Sequence, residues 1–247
     1  MSFADTTPKD RPTSINPEAA RLRVSSWLVV KKALLEVPVF DPAGLCPLPR
    51  AFFTRDPRRV ARELLGRVIV RRRNGKRLAG RIVEVEAYLG ARDPAAHAHR
   101  GLTARNRVLF GPPGHAYVYF IYGNHYCLNV SCQPEGQAGC VLIRALEPLA
   151  GLEPMARARK VKLTGRAPRF LRALTSGPGR LCQALGITRA RDNGRDLVSS
   201  SSELWIADDG FRPARIRTTA RIGIRKAAER RLRYVIAGNP FVSGGRL

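Results

Sequence analysis

The alternation of apolar and polar residues predicts strands first, with helices around them. The run DPRRVARELLG predicts a short helix, because Asp56 can cap it and Pro57 suits the first helical position. Val60 and Leu64 then share one face, and Gly66 ends the run.

Two strand-like runs, RVIVRRR and KRLAGRIVEVEAYLG, follow this helix and are joined by Asn74-Gly75, the dipeptide best suited to a type I′ hairpin turn. Three more β-rich runs come next: AYVYFIYG, YCLNVSC and GCVLIRALEPL. The run SGPGRLCQALGI then predicts a helix that begins near Pro178 and ends at Gly186. Because the strands are grouped, the pattern favours an α+β domain with a largely antiparallel sheet over an alternating parallel one.

The charge indicates the class of partner. The 247 residues include 44 Lys and Arg against 19 Asp and Glu, a formal net charge of +25. Such an excess raises the local concentration of the protein at a polyanion, so nucleic acid is the predicted partner class. The proline-rich residues 1–50 are expected to form a poorly ordered extension, and residues 51–247 the folded domain.

Hydropathy and cysteine usage predict an intracellular protein without a membrane segment. The apolar stretch 27–40 is interrupted by Lys31, Lys32 and Glu36, and the residues before it lack the basic start of a signal peptide. The five cysteines are odd in number and form no CxxC pair, which argues against a disulfide framework and a thiolate zinc site.

Motifs for metals and nucleotides are weak or missing. The AHAH spacing of His97 and His99, near Asp93, is a poor metal candidate, and neither HExxH nor HxE…PCxxC occurs. GxxxxGK[ST] and a GxGxxG at a strand-to-helix turn are also missing. The sequence therefore predicts no metal and no cofactor.

Two carboxylates and a phenol share one face of the strand RIVEVEAYLG. Strand alternation puts Glu84, Glu86 and Tyr88 together with Ile82 on that face. Two such carboxylates are costly to bury, because each disfavours ionisation of the other and burial disfavours both charges. They belong either to a working site or to an exposed face on which Glu84 pairs with an arginine, and both readings stay open.

The strand YVYFIYG carries Tyr117, Tyr119 and Tyr122 in six residues. Aromatic rings within a basic surface stack on nucleic-acid bases, a contact worth about 1 to 3 kcal/mol per base. Tyrosine is equally common in the core and at the interfaces of β-sheets, so each ring has an alternative structural role.

Seven blocks in order resemble the alkyladenine (3-methyladenine) DNA glycosylase family. They are RDPRRVARELLG, RIVEVEAYLGARDPAAHA, TARNRVLFGPPGHAYVYFIYGNHYCLNVSC, GCVLIRALEPLAG, SGPGRLCQALGI, RIGI and GNPFVS, from about Phe52 to Ser243. The resemblance implies a base-excision repair enzyme that flips a damaged purine out of duplex DNA and hydrolyses its N-glycosidic bond to leave an abasic site. It also implies one compact α+β domain with a curved, largely antiparallel sheet flanked by helices.

The same resemblance implies roles for individual residues. Glu86 matches the general base that activates water. The base pocket is implied to contain Tyr88, His97, Tyr119 and Asn129, with Asn129 rejecting the amino group of guanine. Tyr122 matches the wedge that fills the space left by the flipped nucleotide. The residues implied to contact DNA are Arg105, Asn106, Arg144 and Arg180, with Arg144 supporting the flipped nucleotide.

The family resemblance further implies a monofunctional enzyme that acts as a monomer on damaged double-stranded DNA, with hypoxanthine and etheno adducts as additional candidate substrates. Its expected location is the cytoplasm, on the nucleoid, or the nucleus in a eukaryote. Two alternatives are a non-catalytic DNA- or RNA-binding protein that ignores damage and a metal-dependent nuclease that a chelator would inactivate.

Overall fold

The computed structural model describes residues 40–42, 44–121, 123–199 and 201–244. Within these ranges the strands are β1 (Val68–Arg73), β2 (Lys76–Tyr88), β3 (Ala116–Ile121), β4 (His125–Cys132), β5 (Gly139–Ala150), β6 (Leu204–Ala207), β7 (Ile216–Thr219) and β8 (Arg233–Ile236). The α-helices are α1 (Pro57–Leu64), α2 (Leu152–Arg159), α3 (Pro168–Thr175), α4 (Pro178–Leu185) and α5 (Arg189–Asp192).

All these strands join one antiparallel sheet that branches at β2. The strand order is β3-β4-β5-β2-β1-β6, and β8 pairs with both β2 and β7. One edge of β2 pairs with β5, while the other edge pairs first with β1 and then, at residues 84–86, with β8. The predicted α+β fold with a curved antiparallel sheet is confirmed.

The first helix and the hairpin form as the sequence predicts. The Asp56 carboxylate accepts a hydrogen bond from the Arg58 amide (2.8 Å) at the start of α1, and Val60 and Leu64 are buried. The turn between β1 and β2 has positive φ at both central residues, 49° at Asn74 and 70° at Gly75, as a type I′ turn requires. The helix predicted from Pro178 to Gly186 is confirmed as α4, which Gly186 caps in the left-handed conformation.

Three register shifts interrupt the pairing of β2 with β5, one at Gly80 and two β-bulges on either side of Glu84. Ile82 pairs with Leu146 and Glu84 with Ala145, which leaves Val83 as an extra residue in β2. Ile82 and Val83 are consequently both buried in the main core, so the prediction that Ile82 shares a face with Glu84 is wrong. From Glu84 onward the alternation holds.

The main hydrophobic core lies between one face of the sheet and the helices. Its side chains come from β2, β4, β5 and α1 to α4, and the largest fully buried ones include Leu64, Ile143 and Met155. The opposite face of β2 to β5 carries a smaller cluster around Tyr117, Leu109 and Cys140, under the loop that joins β2 to β3. The acidic and aromatic residues singled out in the sequence lie on this second face.

Part of the segment expected to be an extension packs on the sheet. The Leu48 amide donates to the Ile206 carbonyl (2.8 Å), and the Trp205 indole donates to the Leu45 carbonyl (3.2 Å). Residues 1–39 lie outside the described residues, so the poorly ordered extension stays a prediction for them.

We expect Gly90→Ala to destabilise the fold far more than Gly75→Ala. Both glycines have positive φ, 63° and 70°, and strain of this kind costs about 1 to 2 kcal/mol for an L-residue. A Cβ on Gly75 meets nothing within 4 Å, whereas a Cβ on Gly90 would lie 1.8 Å from the Ala138 carbonyl oxygen. Urea unfolding of the two variants measures the difference, and equal losses would contradict this close approach.

Candidate active site

A single rung of the sheet carries the centre of the site. Tyr117 pairs with Asn129, Asn129 with Leu142, Leu142 with Glu86, and Glu86 with Arg233. Directly opposed residues in an antiparallel sheet point to the same face. The fold therefore brings residues from β3, β4, β5, β2 and β8 to one side of the sheet.

Glu86 is fully buried and makes three polar contacts. Its Oε2 accepts a hydrogen bond from the Tyr88 hydroxyl (2.9 Å), and its Oε1 accepts one from the Ile222 amide (2.8 Å). Arg144 Nη1 lies 3.2 Å from the same Oε1. Burial raises the pKa of the Glu86 carboxyl, although the Arg144 guanidinium and the two hydrogen bonds oppose the shift. The result is a carboxylate kept more basic than an exposed glutamate.

Arg144 reaches this carboxylate because of the second bulge. Ala145 pairs with Glu84 and Ile143 with Val85, so Arg144 is the extra residue in β5. Its side chain lies between the two acids, with Nε donating to Glu84 Oε1 (2.8 Å). One guanidinium thus bridges both carboxylates of the strand.

Glu84 has four hydrogen-bond donors around it and no exposed surface. Arg144 Nε (2.8 Å), Arg233 Nε (2.7 Å) and the Ser243 hydroxyl (2.9 Å) donate to Oε1, and the Ser243 amide (2.6 Å) donates to Oε2. The pairing of Glu84 with arginine is therefore found, but in the interior and not on an exposed face. Its lone pairs are engaged by the protein, which leaves Glu86 as the acid with capacity for chemistry.

A cavity of about 190 Å³ has Tyr88, the hydrogen-bond partner of Glu86, in its wall. It is lined by Tyr88, His97, Tyr117, Tyr119, Asn129 and residues of neighbouring loops. An engineered cavity of about 150 Å³ holds benzene, so this space is of the size that a planar base occupies. A second cavity of about 220 Å³ shares the Tyr88 and Tyr119 walls and reaches Arg144 and the start of α4.

The aromatic walls are fixed by their neighbours. The ring of His97 meets the ring of Tyr119 edge-on, with centroids 4.6 Å apart. His97 Nδ1 and the Tyr117 hydroxyl share a hydrogen bond of 2.8 Å. Burial, helped by the charge of Arg105, lowers the pKa of His97, so the imidazole is neutral at neutral pH. Burial also raises the pKa of Tyr117 to about 12, which keeps its hydroxyl protonated.

Asn129 lines the smaller cavity. Its Nδ2 donates to the Tyr117 carbonyl (3.0 Å), and the Cys140 thiol lies 3.9 Å from its Oδ1. The amide is therefore held in one orientation between β3 and β5.

The residues expected to contact DNA differ in exposure. Arg105 is exposed, with its guanidinium 6.0 Å from the Tyr119 ring centroid, and Arg180 is exposed at the start of α4. Asn106 is buried, and its amide nitrogen donates to the carbonyls of His97 and Gly101 (both 3.0 Å). In this structure Asn106 supports the loop that carries His97 and offers no surface to DNA.

The remaining expectations concern Tyr122, a metal site and a membrane-spanning helix. Tyr122 lies outside the described residues, so its wedge role stays a prediction. Within the described ranges no group of three or more His, Cys, Asp or Glu side chains could hold a metal ion. No helix in those ranges combines the length and the apolar character needed to cross a membrane.

A buried ion pair that the sequence analysis missed supports the site from behind. Arg221 makes a bidentate pair with Asp93 (2.5 and 2.9 Å), and its guanidinium lies 4.7 Å from the Tyr88 ring centroid. The next residue, Ile222, supplies the amide that binds Glu86. Asp93 and the RIGI block were visible in the sequence, but their separation of 128 residues hid the pairing.

Glu84→Gln should destabilise the fold at pH 7, whereas Glu86→Gln should not. Glu84→Gln breaks the ion pairs of Glu84 with Arg144 and Arg233. Breaking a buried charge pair lowers the free energy of unfolding by about 3 to 5 kcal/mol. A raised pKa in the folded state means that the Glu86 anion destabilises the fold above the ordinary carboxyl pKa. We therefore expect Glu86→Gln to unfold at an equal or higher urea concentration than the native chain, with the difference narrowing as pH falls. Equal destabilisation by both changes would contradict the separation of roles.

Comparisons with known proteins show the family of the chain. The model of the family described as "Methylpurine-DNA glycosylase (MPG)" matches residues 51–240. A relative from Koribacter versatilis, named as a candidate 3-methyladenine DNA glycosylase, is 64% identical over 85% of this chain and 99% of its own length. Relatives with the same name from Burkholderia lata and Alkaliphilus oremlandii are 50% and 44% identical, over 83% and 79% of this chain and 96% and 98% of their own lengths. The chain belongs to the methylpurine-DNA glycosylase family.

Proposed function

We propose that the protein excises alkylated purines from duplex DNA in base-excision repair, with Glu86 activating the water that attacks the sugar. The family to which it belongs is a DNA glycosylase family. The observation that carries the assignment of Glu86 is that this buried, basic carboxylate accepts a hydrogen bond from Tyr88, a wall residue of the base-sized aromatic cavity.

The flipped base would occupy the 190 Å³ cavity between aromatic rings. Tyr88 and Tyr119 line it, and His97 meets Tyr119 edge-on. An alkylated purine with positive charge is attracted to such π faces by about 0.5 to 2 kcal/mol more than a neutral base. Easier flipping at a damaged pair and a weakened glycosidic bond supply the rest of the selectivity.

In the reaction, the water oxygen would bond to the anomeric carbon while the carbon–nitrogen bond to the base breaks and its electron pair leaves with the base. Glu86 would take the proton of the water. Its negative charge also stabilises the positive charge that develops on the sugar. A single carboxylate performs both roles, since Glu84 is saturated with donors.

The sugar and its phosphate would lie in the 220 Å³ cavity, which includes Arg144 and the first residues of α4. Arg180 is exposed at this helix start, where backbone amides and the helix dipole favour an anion. Arg105 is exposed, with its guanidinium 6.0 Å from the Tyr119 ring centroid. These cations would hold the strand on either side of the flipped nucleotide.

Two further roles concern selectivity and strand separation. Asn129, fixed by its hydrogen bond to the Tyr117 carbonyl, would reject the amino group of guanine by crowding the cavity. Tyr122 would fill the space left by the base, offsetting an unstacking cost of a few kcal/mol.

The partner is double-stranded DNA with a damaged base, and we expect a monomer that works where chromosomal DNA lies, in the cytoplasm on the nucleoid or in a nucleus. Hypoxanthine and etheno adducts are further candidate substrates. The alternative of a damage-blind binding protein predicts equal affinity for damaged and intact duplexes, and the nuclease alternative predicts strand breaks that a chelator abolishes.

Glu86→Gln should retain affinity for lesion DNA while its excision rate falls by about 100-fold or more, because the amide cannot take the proton. Single-turnover release of free base is measured on duplexes with a 3-methyladenine analogue or hypoxanthine, with and without EDTA. Strand breaks are scored before and after alkali. Asp56→Asn on α1 is a control carboxylate change away from both cavities. Excision by Glu86→Gln at the native rate would refute the assignment.

The excision rate should fall as pH decreases through the raised pKa of Glu86, so the acid limb lies above the ordinary glutamate value of about 4.3. Tyr88→Phe removes a hydrogen bond that stabilises the Glu86 anion, so the limb should move to still higher pH. Single-turnover rates on a hypoxanthine duplex from about pH 4 to about pH 8 give both midpoints. A limb that moves to lower pH in Tyr88→Phe would contradict the mechanism.

A further inference from the structure

A basic groove of about 420 Å³ lies apart from the two cavities of the site. Arg169 and Arg172 of α3 and Arg217 of β7 line it, and its floor is the backbone after β8, residues 237–240. None of the residues that line it is acidic. We refer to it as the Arg217 groove.

The three arginines keep their charge available. None of them makes an ion pair within the part of the chain that the structure describes. Arg172 Nη2 donates to the Val242 carbonyl (3.1 Å), and the Arg169 guanidinium lies 4.6 Å from the Phe170 ring centroid. Both contacts orient a guanidinium without neutralising it.

The sheet register fixes where this groove lies. Arg217 pairs with Val235, and Val235 pairs with Glu84, so the three residues form one rung. Opposed residues share a face, which puts Arg217 on the same face as the buried acids. Two strand spacings separate Arg217 from Glu84, about 10 Å, and Glu86 is two residues farther along β2, which gives roughly 12 Å between backbone positions.

We propose that the Arg217 groove binds a backbone phosphate of the substrate duplex a few nucleotides from the flipped base. The proposal rests on the proposed function, in which DNA lies across this face of the sheet. Phosphates follow one another every 3.4 Å of axis along each strand, so a separation of roughly 12 Å corresponds to about three or four nucleotides. Guanidinium groups without carboxylate partners are suited to bind phosphate oxygens.

The test compares two double variants of equal charge change on a lesion duplex of about 30 base pairs. Arg169→Gln with Arg217→Gln empties the groove of two cations but leaves Arg172, which supports the backbone at Val242. Lys76→Gln with Arg77→Gln removes two exposed cations at the hairpin end of β2, about 30 Å from Glu86. Binding is measured at several salt concentrations, and single-turnover excision at saturating enzyme.

The groove variant should bind about tenfold more weakly near 0.1 M salt, with the salt slope reduced by about 1 for each lost contact. Its saturated excision rate should stay within about twofold of the native rate, and the control variant should keep the native slope. Equal slopes in the two variants would overturn the proposal. The proposal would also be overturned if the groove variant alone lost binding of inorganic phosphate while the salt dependence of its DNA binding kept the native slope. If the native protein excised no lesion but the groove variant still showed a reduced salt slope for DNA binding, phosphate binding by the groove would be supported and the proposed function would be refuted.

Discussion

The site depends on keeping two carboxylates buried two residues apart on one strand. Like charges at this spacing would repel each other in a dry interior, and burial alone would drive one of them to protonate. The guanidinium of Arg144 lies between Glu84 and Glu86, and Arg233 adds a second positive charge on Glu84. The two arginines therefore offset the charges of the two acids, which favours the ionised form that the proposed mechanism requires of Glu86.

The two acids differ in the number and strength of the contacts that surround them. Glu84 accepts hydrogen bonds from two arginines and from both donors of Ser243, so it holds the segment at Ser243 against β2. Glu86 has weaker support from Tyr88, the Ile222 amide and Arg144 at 3.2 Å. The Arg221 guanidinium lies against the Tyr88 ring, and Asp93 matches its positive charge.

Local signals in the sequence were sufficient for the parts of the fold that local chemistry determines. The cap at Asp56, the Asn74-Gly75 turn and the shared face of Glu84, Glu86 and Tyr88 follow from residue type and spacing alone. The bulges at Val83 and Arg144 could not be predicted, because they depend on how β2 and β5, which are far apart in sequence, align when they pair. The arginine partners of Glu84 could not be identified for a related reason, since Arg233 lies 149 residues from Glu84.

The partners that complete the acidic pair come late in the chain. The amide of Ile222, the guanidinium of Arg233 and the backbone of Ser243 reach back over 136, 149 and 159 residues to the acids on β2. A nascent chain that has emerged from the ribosome only as far as β5 therefore has its aromatic residues and Glu86, but not the environment that tunes them. The environment of Glu86 and Glu84 is complete only when residues through Ser243 have been synthesised and have packed against β2, so the acids reach their folded surroundings late in synthesis.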